Sequence, residues 1–368
     1  MKSSFLLSLL TLAASAANAQ VSYDGYKVFR VPSESEEAAL DLQNVISTLE
    51  LETWKQPMKA GAFADIMVPP DKLTKFESLV GDKNPIVMHE DLGSSIAEEG
   101  TFDSYQAGTV DISWFNSYHS YREHQEWLQS LQAEYPSNSE VVSAGQSSQG
   151  NNITGIHFYG GKVNEYIAYY LLSNYDSNAE VKGFLDKYDF YVFPIVNPDD
   201  VNRNWAYKWN GRGSSTNPCA ETYRGSAEAS SPEAKALAQW LNGVKSSQGL
   251  KLYIDWHSYS QLFMSPYGYT CNQVPPKNAE FQSLMRGAVN AIQSVHGTSF
   301  NYGPICSTIY QVAGSSVDYV NDVTKADYTF TVELRDTGRY GFVLPPNQIL
   351  PSGEESYAGV RYLLQNMK

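Results

Sequence analysis

A histidine and a glutamate stand at the ends of two apolar, strand-like segments of this 368-residue chain. His257 follows "LYIDW" and Glu333 follows "YTFTV". An imidazole can bind zinc and a nearby carboxylate can act as a general base, although a lone histidine after a strand is more often structural. A carboxylate in an apolar strand is costly unless it is paired or lies near a metal. The alternative is a structural pair of Glu333 with Arg335 or Arg339.

Two further segments carry side chains that could bind a substrate. In "DVNRNWAYKW" (200–209) Asn202 precedes Arg203, and an arginine beside an amide can hold a carboxylate at two points. The same residues could equally form a polar turn. In "CSTIYQ" (306–311) Tyr310 lies in a neighbourhood typical of a mobile loop, but one tyrosine among 26 indicates nothing by itself.

Two structural units are expected to position these groups. Residues 25–92 alternate in the order β-α-β-β-α-β, which predicts a small α+β sandwich of the ferredoxin-like kind. From about residue 110, strand and helix patterns alternate, which predicts an α/β unit with helices on both faces of a largely buried sheet. The first helix of that unit is predicted over 118–136, where Pro136 ends an amphipathic pattern.

The N-terminus, the charge and the cysteines restrict the class of protein. Residues 1–19 combine Lys2, a short apolar run and a small-residue cleavage pattern, so we expect a signal peptide and a secreted, extracellular protein. No other apolar stretch is long enough to span a bilayer, so no membrane partner is expected. The net charge of −14 argues against a nucleic-acid partner. Three cysteines leave one thiol unpaired, or imply a missing partner.

Several ordered motifs together resemble the zinc carboxypeptidase A/B family, in particular its secreted fungal metallocarboxypeptidase A-like proenzymes. The motifs are "NRNW", "NPCAETYRG", "IDWHSYSQLFMSPYGYT", "TIYQVAGSSVDY" and "ELRDTGRYGFVLPPNQI". The resemblance implies a carboxypeptidase-like α/β domain with a central mixed sheet flanked by helices. It also implies the order signal peptide (1–19), activation prosegment (20–100), linker (101–110) and zinc carboxypeptidase-like domain (111–368). The prosegment would cap the active-site cleft as an intramolecular inhibitor.

The resemblance also implies a role for each candidate residue. His257 corresponds to the third ligand of a Zn²⁺ cofactor, and Glu333 to the general base that activates the zinc-bound water. The remaining roles concern the C-terminus of a peptide or protein substrate. They are the terminal-carboxylate site (Asn202, Arg203), the neighbouring subsites (Ser258, Tyr259) and the loop tyrosine that closes over the substrate (Tyr310).

Val317 occupies the position that corresponds to the floor of the specificity pocket. An apolar floor favours aromatic or aliphatic C-terminal residues. The neighbouring Asp318 is the rival candidate if the correspondence shifts by one position. The expected neighbours of Val317 are Met264, Ile305, Val312 and Thr331.

Two segments of the family pattern are absent from this chain. The H-x-x-E segment that carries the first two zinc ligands would lie between "NITGIHFYGG" and "NEYIAYYLLSNY", where only 162–164 intervene. The segment with the oxyanion-stabilising arginine would follow Asp199, which here joins Asp200 directly. That second segment normally contains the partner of Cys219, so the resemblance implies a Cys271–Cys306 disulfide.

The spacing of His119, Glu123 and His124 does not replace the absent motif. It is one residue too long for H-x-x-E-H, and we expect it on an amphipathic surface helix. We therefore interpret the chain as a splice form or faulty gene model of an active carboxypeptidase, impaired by the loss of two zinc ligands. The alternatives are a non-catalytic binder of peptide C-termini and a purely structural secreted protein.

Overall fold

The computed structural model describes residues 21–56, 60–99, 108, 110–158, 165–197, 202–218, 220 and 222–368. The predicted signal peptide, most of the predicted linker, the two junctions at 162–164 and 199–200, and Cys219 lie outside these residues. The N-terminal unit contains β1 (Lys27–Ser33), α1 (Glu36–Thr48), β2 (Glu52–Lys55), β3 (Ala62–Val68), α2 (Leu73–Val80), β4 (Ile86–His89) and α3 (Leu92–Ala97).

The N-terminal unit has the predicted β-α-β-β-α-β order. Its antiparallel sheet has the strand order β2-β3-β1-β4. Alternate residues of β1 and β3 point to one face, where Phe29, Val31 and Ile66 pack with Phe76 of α2 in an apolar core. Helix α1 begins where the Ser35 side chain accepts a hydrogen bond from the backbone N–H of Ala38.

The larger C-terminal unit alternates helices and strands, as predicted. Its first elements are α4 (Tyr121–Glu134), β5 (Ser139–Gln146), β6 (Asn152–Phe158), α5 (Glu165–Ser173), α6 (Ala179–Lys187), β7 (Phe190–Val192) and α7 (Pro232–Gln248). Then follow β8 (Leu252–His257), β9 (Leu262–Ser265), α8 (Asn278–His296), β10 (Asn301–Pro304), α9 (Ile305–Thr308), α10 (Ser316–Tyr319), β11 (Tyr328–Glu333) and α11 (Ile349–Asn366).

Helix α4 is shorter than the predicted 118–136 but has the predicted amphipathic character. It begins after Ser120, whose side chain forms a capping box with Glu123. His119 therefore precedes the helix, and its ring stacks on Trp114 with centroids 3.5 Å apart. Nδ1 of His124 lies 2.6 Å from Oε1 of Glu165. The helix buries Trp127, Leu128 and Leu131 on one side and exposes Gln129 and Ala133 on the other, as expected of an amphipathic surface helix.

The strands of the C-terminal unit form two sheets within the described residues. One has the order β10-β9-β11-β8, in which β8 pairs in parallel with β11. The other has the order β5-β6-β7 and is antiparallel. A single apolar core joins both sheets to α5, α8 and α11. Helices thus cover a central mixed arrangement of strands, although β7 and β8 belong to separate sheets.

Two predicted pairings can be compared with the structure. The alternative that pairs Glu333 with Arg335 is wrong, because Nη2 of Arg335 lies 2.5 Å from Oε1 of the buried Glu355 in α11. The expected disulfide between Cys271 and Cys306 is present. No helix of the described residues is both long and apolar enough to cross a membrane.

Candidate active site

The candidate catalytic residues lie at the carboxyl ends of two neighbouring strands. Because β8 and β11 pair in parallel, His257 and Glu333 are register partners at the end of the ladder. Loops begin there, and in sheets of this kind the carboxyl ends of the strands form the usual ligand-binding edge. The sequence pattern that placed each residue at a strand end therefore brings the two side chains together.

A buried carboxylate on the same strand holds the imidazole. Nε2 of His257 lies 3.1 Å from Oδ1 of Asp255, which is buried. Burial disfavours the imidazolium, but the Asp255 charge and hydrogen bond outweigh it and raise the pKa of His257 to about 9. His257 is therefore protonated at neutral pH in this arrangement. Sequence reasoning missed Asp255, although its position two residues before His257 puts both on the same face of the strand.

The predicted substrate clamp lies beside this pair. The Asn202 amide nitrogen donates to Oδ2 of Asp255 at 2.7 Å, and its oxygen accepts from the backbone N–H of Ser316 at 2.9 Å. Arg203 donates from Nε to the carbonyl of Gly213 and from Nη1 to that of Asn202. These bonds fix the guanidinium, while the amide of Asn202 is engaged in holding the site together.

Glu333 is surrounded by charged groups from both units. Burial raises the pKa of Glu333, and the positive charges of His257, Lys55 and Arg203 act in the opposite direction. Lys55 belongs to β2 of the N-terminal unit, and its Nζ donates to Oγ of Ser260 at 3.3 Å. The N-terminal unit thus places a cation against the candidate catalytic residues.

Val317 belongs to an apolar cluster next to the site. The cluster comprises Leu262, Met264, Ile305, Val312 and Val317, with Tyr310 packed against it. Three of the four expected neighbours of Val317 are members, and the fourth, Thr331, is buried nearby in β11.

The rival residue Asp318 has a different environment. Its carboxylate accepts hydrogen bonds from the backbone N–H groups of Gly268 and Tyr269. Burial raises the pKa of Asp318 to about 6 despite these bonds. This carboxylate is therefore committed to holding the 268–269 backbone.

Tyr259 is where the N-terminal unit is anchored. Its hydroxyl donates to Asp65, and Asp65 also accepts from Nε and Nη2 of Arg30 at 2.7 and 2.6 Å. Burial and the Asp65 charge raise the pKa of Tyr259, so the phenol remains protonated and able to donate. Ser258, the other predicted subsite residue, is exposed. We call the Arg30, Asp65 and Tyr259 group the buried latch.

The loop after β11 fits closely against the same surface. Arg30 donates from Nη1 to the carbonyl of Thr337 at 2.8 Å. A Cβ atom at Gly338 would overlap the Arg30 guanidinium, and one at Gly341 would lie 2.6 Å from the Trp54 ring. Both glycines also have positive φ angles, 107° and 62°. The "DTGRYGF" sequence therefore allows backbone to approach the N-terminal unit where a side chain would prevent it.

The described residues do not form a zinc site. A catalytic zinc takes three protein ligands, whereas no group of three His, Cys, Asp or Glu side chains suited to a metal occurs in the described ranges. The assignment of His257 as a metal ligand, like the other assigned roles, stays a prediction.

Comparisons with known protein families identify two regions. The zinc carboxypeptidase model matches residues 159–199 and 200–359, and the carboxypeptidase activation peptide model matches 29–99. Metallocarboxypeptidase A of Trichophyton equinum is 43% identical, over 98% of each chain. Bovine carboxypeptidase B is 32% identical over 98% of this chain and 97% of its own. The resemblance predicted from the sequence motifs is thereby confirmed.

A solved structure has the same overall fold. The crystal structure of thrombin activatable fibrinolysis inhibitor aligns with a TM-score of 0.81 at 23% identity, covering 93% of this chain and 98% of its own. The alignment with the Trichophyton equinum protein extends over 415 positions, at least 47 more than the 368 residues of this chain. The relative therefore contains residues that have no counterpart here.

Replacing Asp255 by Asn tests the electrostatic control of His257. We expect the pKa of His257 to fall by about two units from about 9, because burial would then act with little opposition. The pair stabilises the folded chain below the ordinary histidine pKa, and that contribution disappears as the pH rises through about 9. An NMR titration of the histidine ring nitrogens measures the change, with His89 as internal reference. An unchanged His257 midpoint would contradict the assignment.

Replacing Asp65 by Asn tests the buried latch. The variant leaves Arg30 without its carboxylate, so we expect the N-terminal unit to detach about 30-fold more often, roughly 2 kcal/mol. Hydrogen–deuterium exchange of residues 259–261 and 337–342 measures this opening. Glu90→Gln is the matched control, because its pair with Lys27 is exposed and lies within the N-terminal unit. Equal exchange in the two variants would show that the latch does not anchor the unit.

Proposed function

The chain belongs to the zinc carboxypeptidase family, and from that premise we propose that it is a secreted proenzyme form with an incomplete zinc site. Its retained elements recognise the C-terminal residue of a peptide or protein. The observation that carries this proposal is that Arg203 lies close to the His257–Glu333 pair at the end of β8 and β11, where the described residues contain no group of three side chains suited to a metal.

Recognition of the substrate carboxylate is assigned to Arg203. Two of its nitrogens are fixed by backbone carbonyls, while Nη2 makes no hydrogen bond to a described residue. Such an arrangement gives a guanidinium a defined direction at little entropic cost on binding. The positive charge of Arg203 lowers the pKa values of both His257 and Glu333, which shows that the guanidinium lies close to them. A carboxylate bound to Arg203 would therefore lie next to the catalytic position. Tyr310, packed against the apolar cluster, is assigned as the closing phenol.

The apolar cluster around Val317 is the proposed pocket for the C-terminal side chain. Val317 is 1% exposed, and Met264, Ile305 and Val312 surround it with aliphatic groups. Such a pocket favours aromatic or aliphatic side chains through apolar burial and rejects a charged one through desolvation. The carboxylate of Asp318 is bound to backbone N–H groups, so it would not offer a lysine or arginine an ionic partner.

The N-terminal unit is the proposed intramolecular inhibitor. The buried latch fixes it to Tyr259, a predicted subsite residue, and Lys55 brings a positive charge towards Glu333. A substrate would therefore have to displace both groups. No Lys or Arg lies between Lys83 and Arg122, so we propose that a protease without trypsin-like specificity releases the unit.

Restoring the absent segments tests the proposed function. We would compare the chain with a version that carries the corresponding Trichophyton equinum segments at 162–164 and 199–200, each with a cleavable linker after residue 100. We expect only the restored chain to retain about one zinc ion after dialysis, because only it would supply three ligands. Elemental analysis measures zinc, and release of a C-terminal phenylalanine measures activity.

The control for that comparison is the restored chain with His257→Ala, which should lose its zinc. Zinc-dependent peptidase activity of the unmodified chain would contradict an incomplete site. Binding of free-carboxylate peptides by the unmodified chain, without zinc or cleavage, would identify it as the alternative, a non-catalytic C-terminus binder.

Replacing Val317 by Asp in the restored chain tests the pocket. We expect the ratio of kcat/KM values for C-terminal arginine and phenylalanine to rise by about 100-fold, because the new carboxylate pairs with a cation and opposes apolar burial. Steady-state hydrolysis of two otherwise identical peptides measures this ratio. The matched variant is Asp318→Asn, which should leave the preference unchanged. A change of preference in Asp318→Asn instead would identify Asp318 as the floor.

A further inference from the structure

The open edges of two sheets line one cavity. Among the described residues, β7 ends the three-stranded sheet and β8 ends the four-stranded sheet. Every residue of both strands contributes to the lining of a cavity of about 1010 Å³. An end strand presents backbone N–H and C=O groups that another strand can pair with. The two edges therefore supply hydrogen-bonding partners on both sides of the cavity. We call the cavity between β7 and β8 the strand slot.

The incomplete burial of β8 indicates that a neighbouring strand is absent from the described part of the chain. Strand β11, inside the same sheet, has five of six residues buried, whereas β8 has only Asp255 buried. Leu252, Ile254 and Trp256 pack on the main core but remain partly exposed. A strand in a sheet covered by helices on both faces is normally buried throughout. The slot therefore exposes apolar surface that an adjacent strand would cover.

The size of the strand slot fits one strand. Six extended residues at 3.3 Å each, with strands about 4.8 Å apart and layers about 10 Å apart, occupy on the order of 950 Å³. This estimate is close to the cavity volume of about 1010 Å³. The side walls are largely apolar, with Val192 on one side and Ile254 on the other. A mainly aliphatic extended segment matches both the volume and the lining.

We propose that the strand slot binds an extended apolar peptide that pairs with β7 and β8 and joins the two sheets. The occupant is the segment whose absence at 162–164 the family motifs imply, supplied by a separate molecule. In this chain, a connection of six residues (159–164) joins β6 to α5. A second copy of the chain is disfavoured as occupant, because each copy lacks this segment and carries a net charge of −14. This inference rests on the proposed absence of that segment.

Peptide binding to the full chain tests the inference. The probe is a fluorescein-labelled synthetic peptide with the residues that Trichophyton equinum metallocarboxypeptidase A has opposite 162–164. We expect saturable binding by fluorescence anisotropy that is at least about 10-fold tighter than for a scrambled peptide. Hydrogen–deuterium exchange should show new protection in 190–192 and 252–257 when the peptide is present.

Ile254→Lys should weaken binding at least about 10-fold, because it places a charge in the strand slot. Ile86→Lys makes the same change at a site of the N-terminal unit that is 59% exposed, and it should bind the peptide normally. If Ile254→Lys fails to fold, hydrogen–deuterium exchange of the unmodified chain still shows whether the peptide protects β7 and β8.

Three outcomes would overturn the inference. They are equal binding of the scrambled peptide, no protection of β7 and β8, and a dimer in which both strands are already protected without peptide. None of these outcomes changes the zinc measurement that tests the proposed function. Conversely, zinc-dependent activity of the unmodified chain would overturn the proposed function and leave the binding result as it stands.

Discussion

The parallel pairing of β8 with β11 is the contact on which the site depends. It places His257 and Glu333 side by side and brings their loops to one edge of the sheet. Asp255 lies on the same face of β8 as His257, which it holds, and it also accepts hydrogen bonds from Asn202 and Ser316. The ladder and the bonds of Asp255 thus fix the candidate base Glu333, the imidazole of His257 and the amide of Asn202. The pairing of β8 with β11 is present although the described strands of the C-terminal unit form two separate sheets.

The sequence was sufficient to predict those features of the structure that depend on local pattern or on family motifs. Alternation and helical spacing predicted the N-terminal β-α-β-β-α-β order, and family motifs predicted the disulfide and the meeting of His257 with Glu333. It was insufficient where tertiary packing decides. The contacts of His119 with Trp114 and of His124 with Glu165 could not be read from their spacing, since they depend on how separate elements pack. The role of Asp255 was missed because an acidic residue in a strand gives no sign of which partner it meets.

The division of the sheet was only partly predictable. The short connection at 162–164 indicated that a segment was absent, but not that the strands on either side would remain folded. They do so because the core that joins β6, β7, β9 and β11 to the helices is continuous. Apolar packing is non-directional, so it can hold two sheets in place where backbone hydrogen bonding between them is lacking. Side-chain packing and strand pairing therefore contribute separately to this fold.

The open edges of β7 and β8 also affect the fate of the chain after synthesis. Unpaired edges with exposed apolar residues favour edge-to-edge association between molecules, and proteins normally block them with charges, prolines or bulges. Asp255 of β8 does not block the edge in this way, because Asn202 and His257 hold its charge inside the site. Folding yield is consequently expected to fall as the concentration of the chain rises.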